Sequence, residues 1–263
     1  MMTDILNASP YLIGALTIVI LMLGVWTTSL IISDASIIDM FWGGGFALVA
    51  LTTMLTTDNL SPLAIATGLA VILWGARLFL HLNIRWRKEG EEDYRYQKMR
   101  AYHGDKFWWR QFFTVFTLQG VLMFLVAMPY MTAFSVGGAP ALPGLTVAFL
   151  LVALGGLYME TMADIQLTKF RADPNSGPLL DSGWWKYTRH PNYFGDVVFW
   201  WGIYGAVVAA TPEAIWTIFA PIIMNYLLVK VSGAEMLERR LKHKPGYAEY
   251  MQRTNRFVPK VWG

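Results

Sequence analysis

Long apolar runs, separated by short polar or charged blocks, restrict the fold of this chain more than any other feature. Of its 263 residues, 55% are hydrophobic and only 15% are charged, whereas a soluble domain carries roughly 25% charged residues. A helix needs about 20 apolar residues to cross a bilayer. We therefore predict an all-α, polytopic integral membrane protein of about seven transmembrane helices. The predicted spans are 11–32, 37–57, 63–82, 111–134, 142–165, 192–210 and 213–231.

The distribution of basic residues predicts an orientation. All 21 lysines and arginines fall in or beside the loops 83–110 and 166–191 and the tail 232–263. The connections on the opposite side contain none. The positive-inside rule then places the basic segments and the C-terminus in the cytosol and the N-terminus outside. The leader, residues 1–10, has no basic residue, so we expect the first span to be retained rather than cleaved as a signal peptide.

The composition excludes several kinds of site. The chain has no cysteine, which rules out disulfides, thiolate catalysis and thiolate metal ligands. The four histidines stand far apart in the sequence and show no metal-ligand spacing, so we expect no metal site. The basic residues follow the membrane pattern, and we expect no nucleic-acid partner. We find no repeat or linker and predict one transmembrane domain over residues 1–263.

The segment 188–196, here called the motif segment, concentrates cofactor-type groups at the start of the sixth predicted span. Arg189 and His190 can bind phosphate, and the proline that follows suits a first helical turn, whose free N–H groups attract anions. Asn192 can donate and accept hydrogen bonds at once, and Asp196 follows one turn later on the same face. A capped helix start at the membrane interface is the alternative interpretation.

Two further helical patterns carry charged groups. Arg77, His81 and Arg85 recur at four-residue spacing and share one helix face. A charge inside an apolar run usually faces a polar cavity, although snorkelling to the interface also explains it. Glu160 and Asp164, one turn apart, could accept hydrogen bonds from an amide or a ribose, or could pair with neighbouring basic residues.

Asp39 lies near the start of the second predicted span. A carboxyl group in an apolar setting favours its protonated form and can then donate a strong hydrogen bond or a proton to a carbonyl oxygen. A position close to the lipid headgroups, without a catalytic role, is the alternative.

Four motifs of the chain resemble the steroid 5α-reductase family, and more narrowly its bacterial branch. They are 189–196, Asp39-x-x-Trp42-Gly43, Trp74-Gly75-x-Arg77-Leu78 and Tyr250-x3-Thr254-x2-Phe257-x-Pro259. The similarity extends over nearly the whole chain. It implies a seven-helix membrane enzyme that binds NADPH from the cytosolic side, under a cap formed by the three basic segments. It also implies hydride transfer to the β-carbon of an enone in a hydrophobic substrate, foremost a 3-oxo-Δ4 steroid, while an acid stabilises the enolate oxygen.

The resemblance implies three catalytic candidates. Asp39 matches the carboxylate near the substrate carbonyl, and Tyr193 belongs to the motif segment. Trp74 stands where the eukaryotic members have the tyrosine partner of that carboxylate. Because a Trp N–H donates a hydrogen bond but cannot transfer a proton, the resemblance leaves the proton donor open.

The resemblance also implies the cofactor contacts. Asn192 is expected near the nicotinamide carboxamide, and Asp164 and Arg171 match positions that contact the adenosine and phosphate portion. The predicted cofactor-binding residues are Arg77, His81, Arg85, Arg95, Asp164, Arg171, Arg189, His190, Asn192, Asp196 and Trp200.

Other functions fit parts of the same pattern. The Arg-His-Pro-x-Tyr sequence is similar to membrane methyltransferases of the isoprenylcysteine carboxyl methyltransferase type, which use S-adenosylmethionine, but Asn192 and Asp196 favour the nicotinamide reductases. A non-enzymatic lipid-binding or scaffold protein is a third interpretation. The expected partners are a steroid-like small molecule and membrane lipids, with no obligate protein partner. The expected location is a bacterial inner membrane, with the cofactor side facing the cytoplasm.

Overall fold

A computed structural model describes residues 9–231 and 233–260 of the chain, and the prediction about the leader lies mostly outside them. This part of the chain is helical, without a strand, apart from one isolated parallel bridge between Thr188 and Asn255. Its α-helices are α1 (Pro10–Ile32), α2 (Ile37–Thr56), α3 (Pro62–Glu89), α4 (Tyr94–His103), α5 (Phe107–Gln111), α6 (Leu118–Ser135), α7 (Pro143–Ala172), α8 (Pro191–Ala210), α9 (Phe219–Tyr226), α10 (Ala234–Leu241) and α11 (Tyr247–Arg253). Short 3-10 helices occur at Gly104–Lys106, Gly183–Lys186 and Pro212–Ile218, and π-helical turns at Phe112–Thr117 and Leu227–Val231.

Seven helical stretches among the described residues are long and apolar enough to cross a membrane. They are Pro10–Ile32, Ile37–Thr56, Pro62–Lys88, Tyr94–Ser135, Pro143–Ala172, Pro191–Ala210 and Pro212–Arg239. The protein is thus an all-α, polytopic integral membrane protein, as the apolar runs predicted. The side of the membrane on which each terminus lies stays a prediction.

The outward faces of these helices fit a lipid environment. Ile31 of α1 is 78% exposed and Leu55 of α2 is 76% exposed, although both are large and apolar. Such surface is unfavourable in water but not in hydrocarbon, where lipid chains cover it.

Several charged segments that were predicted as loops are helical. Helix α3 continues past Leu82 to Glu89, α7 continues to Ala172, and α4 forms inside the predicted loop 83–110. Arginine, lysine, glutamine and glutamate have good helix propensity, so a helix need not end where the apolar run ends. Helix α3 ends instead at Gly90, whose φ of 68° is left-handed and is easily adopted by glycine.

The chain divides into two compact units. The first unit consists of the chain up to Ala141 together with Ala210–Thr217. Inside it, α2 and α3 approach closely where Gly43 faces Gly75: a Cβ added at Gly75 would lie 2.3 Å from the carbonyl oxygen of Gly43. Small residues allow such close approach of two helices in a membrane.

The second unit consists of Leu142–Ala209 and the chain from Ile218 onward. Helices α7 and α8 pack backbone to backbone, since a Cβ at Gly156 would lie 2.5 Å from the Gly195 oxygen and one at Gly195 would lie 2.6 Å from the Glu160 nitrogen. This close contact holds the first turns of α8 against α7. The prediction of a single functional domain over the whole chain stays a prediction.

Candidate functional site

The motif segment lies in the second unit and is held by the C-terminal tail. Its helix, α8, begins at Pro191, and the preceding residues pair with the tail through the bridge between Thr188 and Asn255. The Arg189 N–H donates to the Asn255 oxygen at 2.9 Å, and the Thr188 hydroxyl donates to the Phe257 oxygen at 2.8 Å. The tail is therefore part of the structure that positions the start of α8.

Arg189 is buried, and partners within the unit surround its guanidinium. Its Nε donates to Glu238 Oε1 at 2.7 Å, and Nη1 donates to the carbonyl oxygens of Met251 at 3.2 Å and Thr254 at 2.6 Å. Its Nη2 lies 2.6 Å from the same Glu238 oxygen. These contacts tie the motif segment to α10 and α11, so a phosphate at Arg189 would have to replace them.

His190 is buried beside Arg189 and stacks on Tyr193, with ring centroids 5.7 Å apart. Its Nε2 lies 3.4 Å from Glu238 Oε1 but makes no hydrogen bond with any described residue. Burial lowers the pKa of His190 below its ordinary value of 6.5, and this outweighs the opposite effect of Glu238. His190 therefore favours its neutral form, in which one ring nitrogen can accept a hydrogen bond.

Asn192 is oriented by α7. Its Nδ2 donates to Asp164 Oδ1 at 3.0 Å, and a carboxylate can only accept, so the amide nitrogen must face Asp164. The amide oxygen of Asn192 is buried and has no hydrogen-bond partner among the described residues. Asp196 and Trp200, one and two turns further along α8, are also buried. The unit thus presents one oriented acceptor at the start of α8.

The remaining cofactor candidate of this unit, Arg171, lies elsewhere on α7. It occupies the last turn of the helix and is exposed, whereas Asp164 lies about two turns earlier and is buried. The structure thus brings Asp164 to Asn192.

The first unit contains a second polar cluster, centred on Asp39. The Tyr96 hydroxyl donates to Asp39 Oδ1 at 2.7 Å, and Arg95 Nη2 donates to Asp39 Oδ2. Asp93 caps α4 and accepts from the Arg95 Nε at 2.8 Å, and Gln119 Nε2 donates to the Tyr96 hydroxyl at 3.5 Å. Both oxygens of Asp39 are therefore occupied by donors from α4.

The pKa of Asp93 shows which charged groups act on this cluster. Burial favours the neutral acid, but the hydrogen bonds from Arg95 outweigh it and lower the pKa of Asp93, with a further contribution from Arg85. Arg85 is thereby brought to the edge of the Asp39 cluster. His81 and Arg77 lie about one and two turns earlier than Arg85 on the same helix, α3.

The hydroxyl partner of Asp39 was not predicted from the sequence. Trp74, which occupies the expected position of that partner, is fully buried and packs edge to face on Phe46, with centroids 5.7 Å apart. The group that bonds Asp39 is Tyr96, which is 57 residues away in the chain. The sequence analysis gave no functional role to Tyr96 or to Glu238, the partner of Arg189.

Within residues 9–231 and 233–260, no group of three histidine, aspartate or glutamate side chains is arranged to hold a metal ion.

Comparisons with known proteins extend these observations. An uncharacterized protein of Schizosaccharomyces pombe is 25% identical over 287 residues, covering 98% of this chain and 82% of the relative. The Delta(14)-sterol reductase of the same yeast is 36% identical over 70 residues, which cover 21% of this chain and 16% of the reductase. No solved structure matches the chain.

A family match covers most of the sequence. Residues 25–254 match the family described as "Protein of unknown function (DUF1295)", a range that includes every predicted site residue. The chain belongs to this DUF1295 family, which is a family of membrane proteins similar to the steroid 5-alpha-reductases.

Proposed function

We propose that this protein reduces the C=C bond of an enone in a hydrophobic substrate, foremost a 3-oxo-Δ4 steroid, with NADPH as the hydride donor. Membership in a steroid-reductase-like family and the short match to a sterol reductase support a reductase. The observation that carries the proposal is the orientation of Asn192.

The amide oxygen of Asn192 suits the nicotinamide carboxamide. That carboxamide presents an NH2 group, which needs an acceptor, and the Asn192 oxygen is a buried acceptor without a partner among the described residues. A buried polar atom that lacks a partner costs free energy, so a ligand that supplies a donor is favoured at this position. Asp164 would act through Asn192 by fixing the direction of its amide.

This geometry changes two of the sequence-based assignments. Asp164 and Asn192 were assigned to opposite ends of the cofactor, but they are in direct contact, so Asp164 cannot serve the adenosine end if Asn192 serves the nicotinamide end. Arg189 is occupied by Glu238 and by tail carbonyls. We therefore assign the phosphates to exposed cations, with Arg171 as the first candidate.

The Asp39 cluster supplies the proton in this proposal. When bound, NADPH supplies the hydride that reaches the β-carbon. Asp39 accepts hydrogen bonds on both oxygens and has no proton to give while those bonds hold. The Tyr96 phenol carries the transferable proton of the cluster, because a guanidinium such as that of Arg95 stays charged. A substrate carbonyl that replaces Asp39 as its acceptor would take this proton on its oxygen as the hydride reaches the β-carbon, and Arg95 would stabilise the negative charge that develops there. The resulting enol would tautomerise to the saturated ketone, which leaves a proton on the α-carbon.

The first experiment measures thermal stability of the detergent-purified protein with NADPH, NADH or S-adenosylmethionine added separately. We expect NADPH to raise the melting temperature, since a ligand that binds only the folded state stabilises it. Asn192→Ala should lose most of this increase, whereas Asn175→Ala, at an exposed asparagine of the same unit, should retain it. Enones can then be screened by the loss of reduced-cofactor absorbance.

Two outcomes contradict the proposal in different ways. An increase with S-adenosylmethionine alone would replace the reductase by a methyltransferase. If NADPH raises the melting temperature equally in the wild type and in Asn192→Ala, the protein binds NADPH but Asn192 does not contact it.

We also propose that the basic segments lie in the cytoplasm of a bacterial cell, with the protein in the inner membrane. The cysteine-free chain allows a direct test with single cysteines at two exposed positions, Asp58 and Asn175. In intact cells a membrane-impermeant maleimide should label Asp58→Cys and spare Asn175→Cys until the cells are lysed. The reverse pattern would invert the orientation.

A further inference from the structure

One face of the first unit carries a cavity with charged lining residues at the end of α1. The cavity has a volume of about 540 Å³ and is lined by Ile32, Ser33, Asp34, Trp86, Arg87 and Glu92. It lies where α1 ends and the last turns of α3 begin to carry charge, which is where a membrane helix meets the headgroup region.

A separate apolar groove lies along α1 and α2. It has a volume of about 460 Å³, and its lining includes Ile20, Gly24, Thr28, Phe41 and Leu48. Thr28 of the groove and Ile32 of the cavity are one helical turn apart on the same face of α1. A Cβ added at Gly24 would meet no atom within 4 Å, so the groove is open at this point. Cavity and groove thus follow each other along α1, as a headgroup site and an alkyl-chain site for one lipid would.

The cavity offers one cation that is free to bind a ligand. The Arg87 side chain is exposed and makes no hydrogen bond or ion pair with another described residue. A free guanidinium at the headgroup level is a strong donor for phosphate oxygens.

The cavity also holds a carboxylate, that of Asp34, which forms no ion pair with a described residue, although Arg100 is close enough to act on it electrostatically. Among the described residues, Asp34 accepts hydrogen bonds from neutral donors, namely the Ser36 N–H and hydroxyl and the Trp86 indole N–H at 2.7 Å. Glu92, by contrast, is paired with Arg100 at 2.8 Å. The cavity therefore presents the guanidinium of Arg87 and the carboxylate of Asp34 to a ligand, while Arg100 is held by Glu92 and by the Ser33 carbonyl oxygen.

We propose that this face binds one phospholipid whose headgroup carries a phosphate and a primary ammonium, as in phosphatidylethanolamine. The phosphate binds Arg87, the ammonium lies beside Asp34, and an acyl chain fills the groove at Gly24. The complementary charges select a zwitterionic headgroup, and the groove selects a lipid over free phosphate, which has no apolar part to bury. This site is independent of the proposed reductase activity.

The experiment is native mass spectrometry of the detergent-solubilised protein titrated with phosphatidylethanolamine or phosphatidylglycerol. We expect one phosphatidylethanolamine to remain bound to the wild type, and Arg87→Ala to weaken its binding about tenfold, as for the loss of one charge-assisted hydrogen bond. Gly24→Leu should weaken it by filling the groove.

Two variants serve as matched controls. Lys88→Ala removes the neighbouring exposed cation, which does not line the cavity, and Gly155→Leu adds the same side chain at an open glycine of α7. Both should bind phosphatidylethanolamine as the wild type does.

The proposal is overturned if Arg87→Ala binds like Lys88→Ala, or if Gly24→Leu binds like Gly155→Leu. Equal binding of phosphatidylglycerol, which has no ammonium, would also overturn it. Both main changes are at exposed positions, and an unchanged elution profile in size-exclusion chromatography establishes that the variants fold.

Discussion

Arg95 and Arg189 are each paired with a carboxylate, one in each unit, but their surroundings differ. The side chains of Arg95 and Asp39 are 30% and 33% exposed, whereas those of Arg189 and Glu238 are 8% and 16% exposed. Arg189 also donates to two carbonyl oxygens of the tail. Arg95 instead shares its carboxylate with a hydroxyl group, that of Tyr96.

This difference separates a structural ion pair from one that can react. A buried pair in which every guanidinium nitrogen already contacts an acceptor has little capacity for a ligand, and removal of one partner leaves a charge without compensation. A half-buried pair that includes a phenol can exchange one acceptor for another at small cost. We therefore interpret the Arg189 pair as structural and the Asp39 cluster as the reactive one.

The largest effect is expected on stability, from Arg189→Met. It leaves Glu238 without its cation and two tail carbonyls without a donor, and loss of one partner of a buried pair typically costs about 3–5 kcal/mol. The free energy of unfolding, measured by denaturant titration in mixed micelles, should fall by this amount.

Arg253→Met is the matched control for that change. Its pair with Asp181 is exposed, at 59% and 41%, and exposed pairs contribute about 0–1 kcal/mol. If Arg189→Met and Arg253→Met lower the free energy of unfolding equally, the buried pair contributes no more to stability than the exposed pair, and our interpretation of the Arg189 pair is wrong.

The next effect is on turnover, from changes in the Asp39 cluster. Tyr96→Phe should slow enone reduction by about 100-fold, as expected for the loss of a general acid, and Asp39→Asn should act in the same direction. Both variants should keep the stabilisation by NADPH. Trp74→Phe should retain the turnover, because Trp74 packs on Phe46 and is not the hydroxyl partner of Asp39.

Parallel losses of NADPH stabilisation and turnover in Asp39→Asn would mean that the cluster is structural. A turnover lower in Trp74→Phe than in Tyr96→Phe would move the proton donor back to the position that the family resemblance suggested.

A smaller effect tests whether an exposed arginine can bind the cofactor when the buried one cannot. Arg171→Ala should weaken NADPH about tenfold more than NADH if its guanidinium contacts the 2′-phosphate. The comparison is made from titrations of the melting temperature with each cofactor. Equal losses for the two cofactors would remove Arg171 from the phosphate site.

The smallest effect concerns pH and the stability of the second unit. The pKa of His190 in the folded protein lies below its ordinary value of 6.5, so below pH 6.5 the unfolded chain binds the proton more readily than the folded one. The contribution of neutral His190 to the free energy of unfolding is therefore fully present above pH 6.5. It decreases as the pH falls from 6.5 towards the lower pKa of the folded protein.

Melting temperatures of the wild type at pH 7.5 and 5.5 should show this loss. His190→Gln, which cannot titrate, should reduce the difference between the two pH values. An unchanged difference would assign the pH dependence to other groups.

The sequence was sufficient to predict the membrane-spanning helices but not the side-chain contacts between them. The boundaries at Ile32, Ile37 and Ala210 were predicted because a change in polarity coincides with the helix end. The extensions of α3 to Glu89 and of α7 to Ala172 were missed, because hydropathy marks the edge of the membrane and not the end of the hydrogen-bonded helix.

The site was predicted in its residue types rather than in its contacts. The position of Asn192 one turn before Asp196 follows from local spacing. Contacts such as Tyr96 with Asp39, or Arg189 with Glu238, join residues 57 and 49 positions apart, and nothing local in a single sequence identifies such pairs. The difference in exposure between Arg95 and Arg189 depends on how all the surrounding helices pack, so it could not be predicted from the sequence either.

The pairing of the motif segment with the tail has a consequence for biosynthesis. The carbonyl groups that receive the Arg189 side chain belong to residues 62 and 65 positions later in the chain. While the ribosome is making the protein, Arg189 has no such partners until the last predicted span has been inserted and Thr254 has left the exit tunnel. The second unit therefore cannot complete its folding during the synthesis of α7 and α8, because the contacts that bury the Arg189 side chain form only once the tail is available.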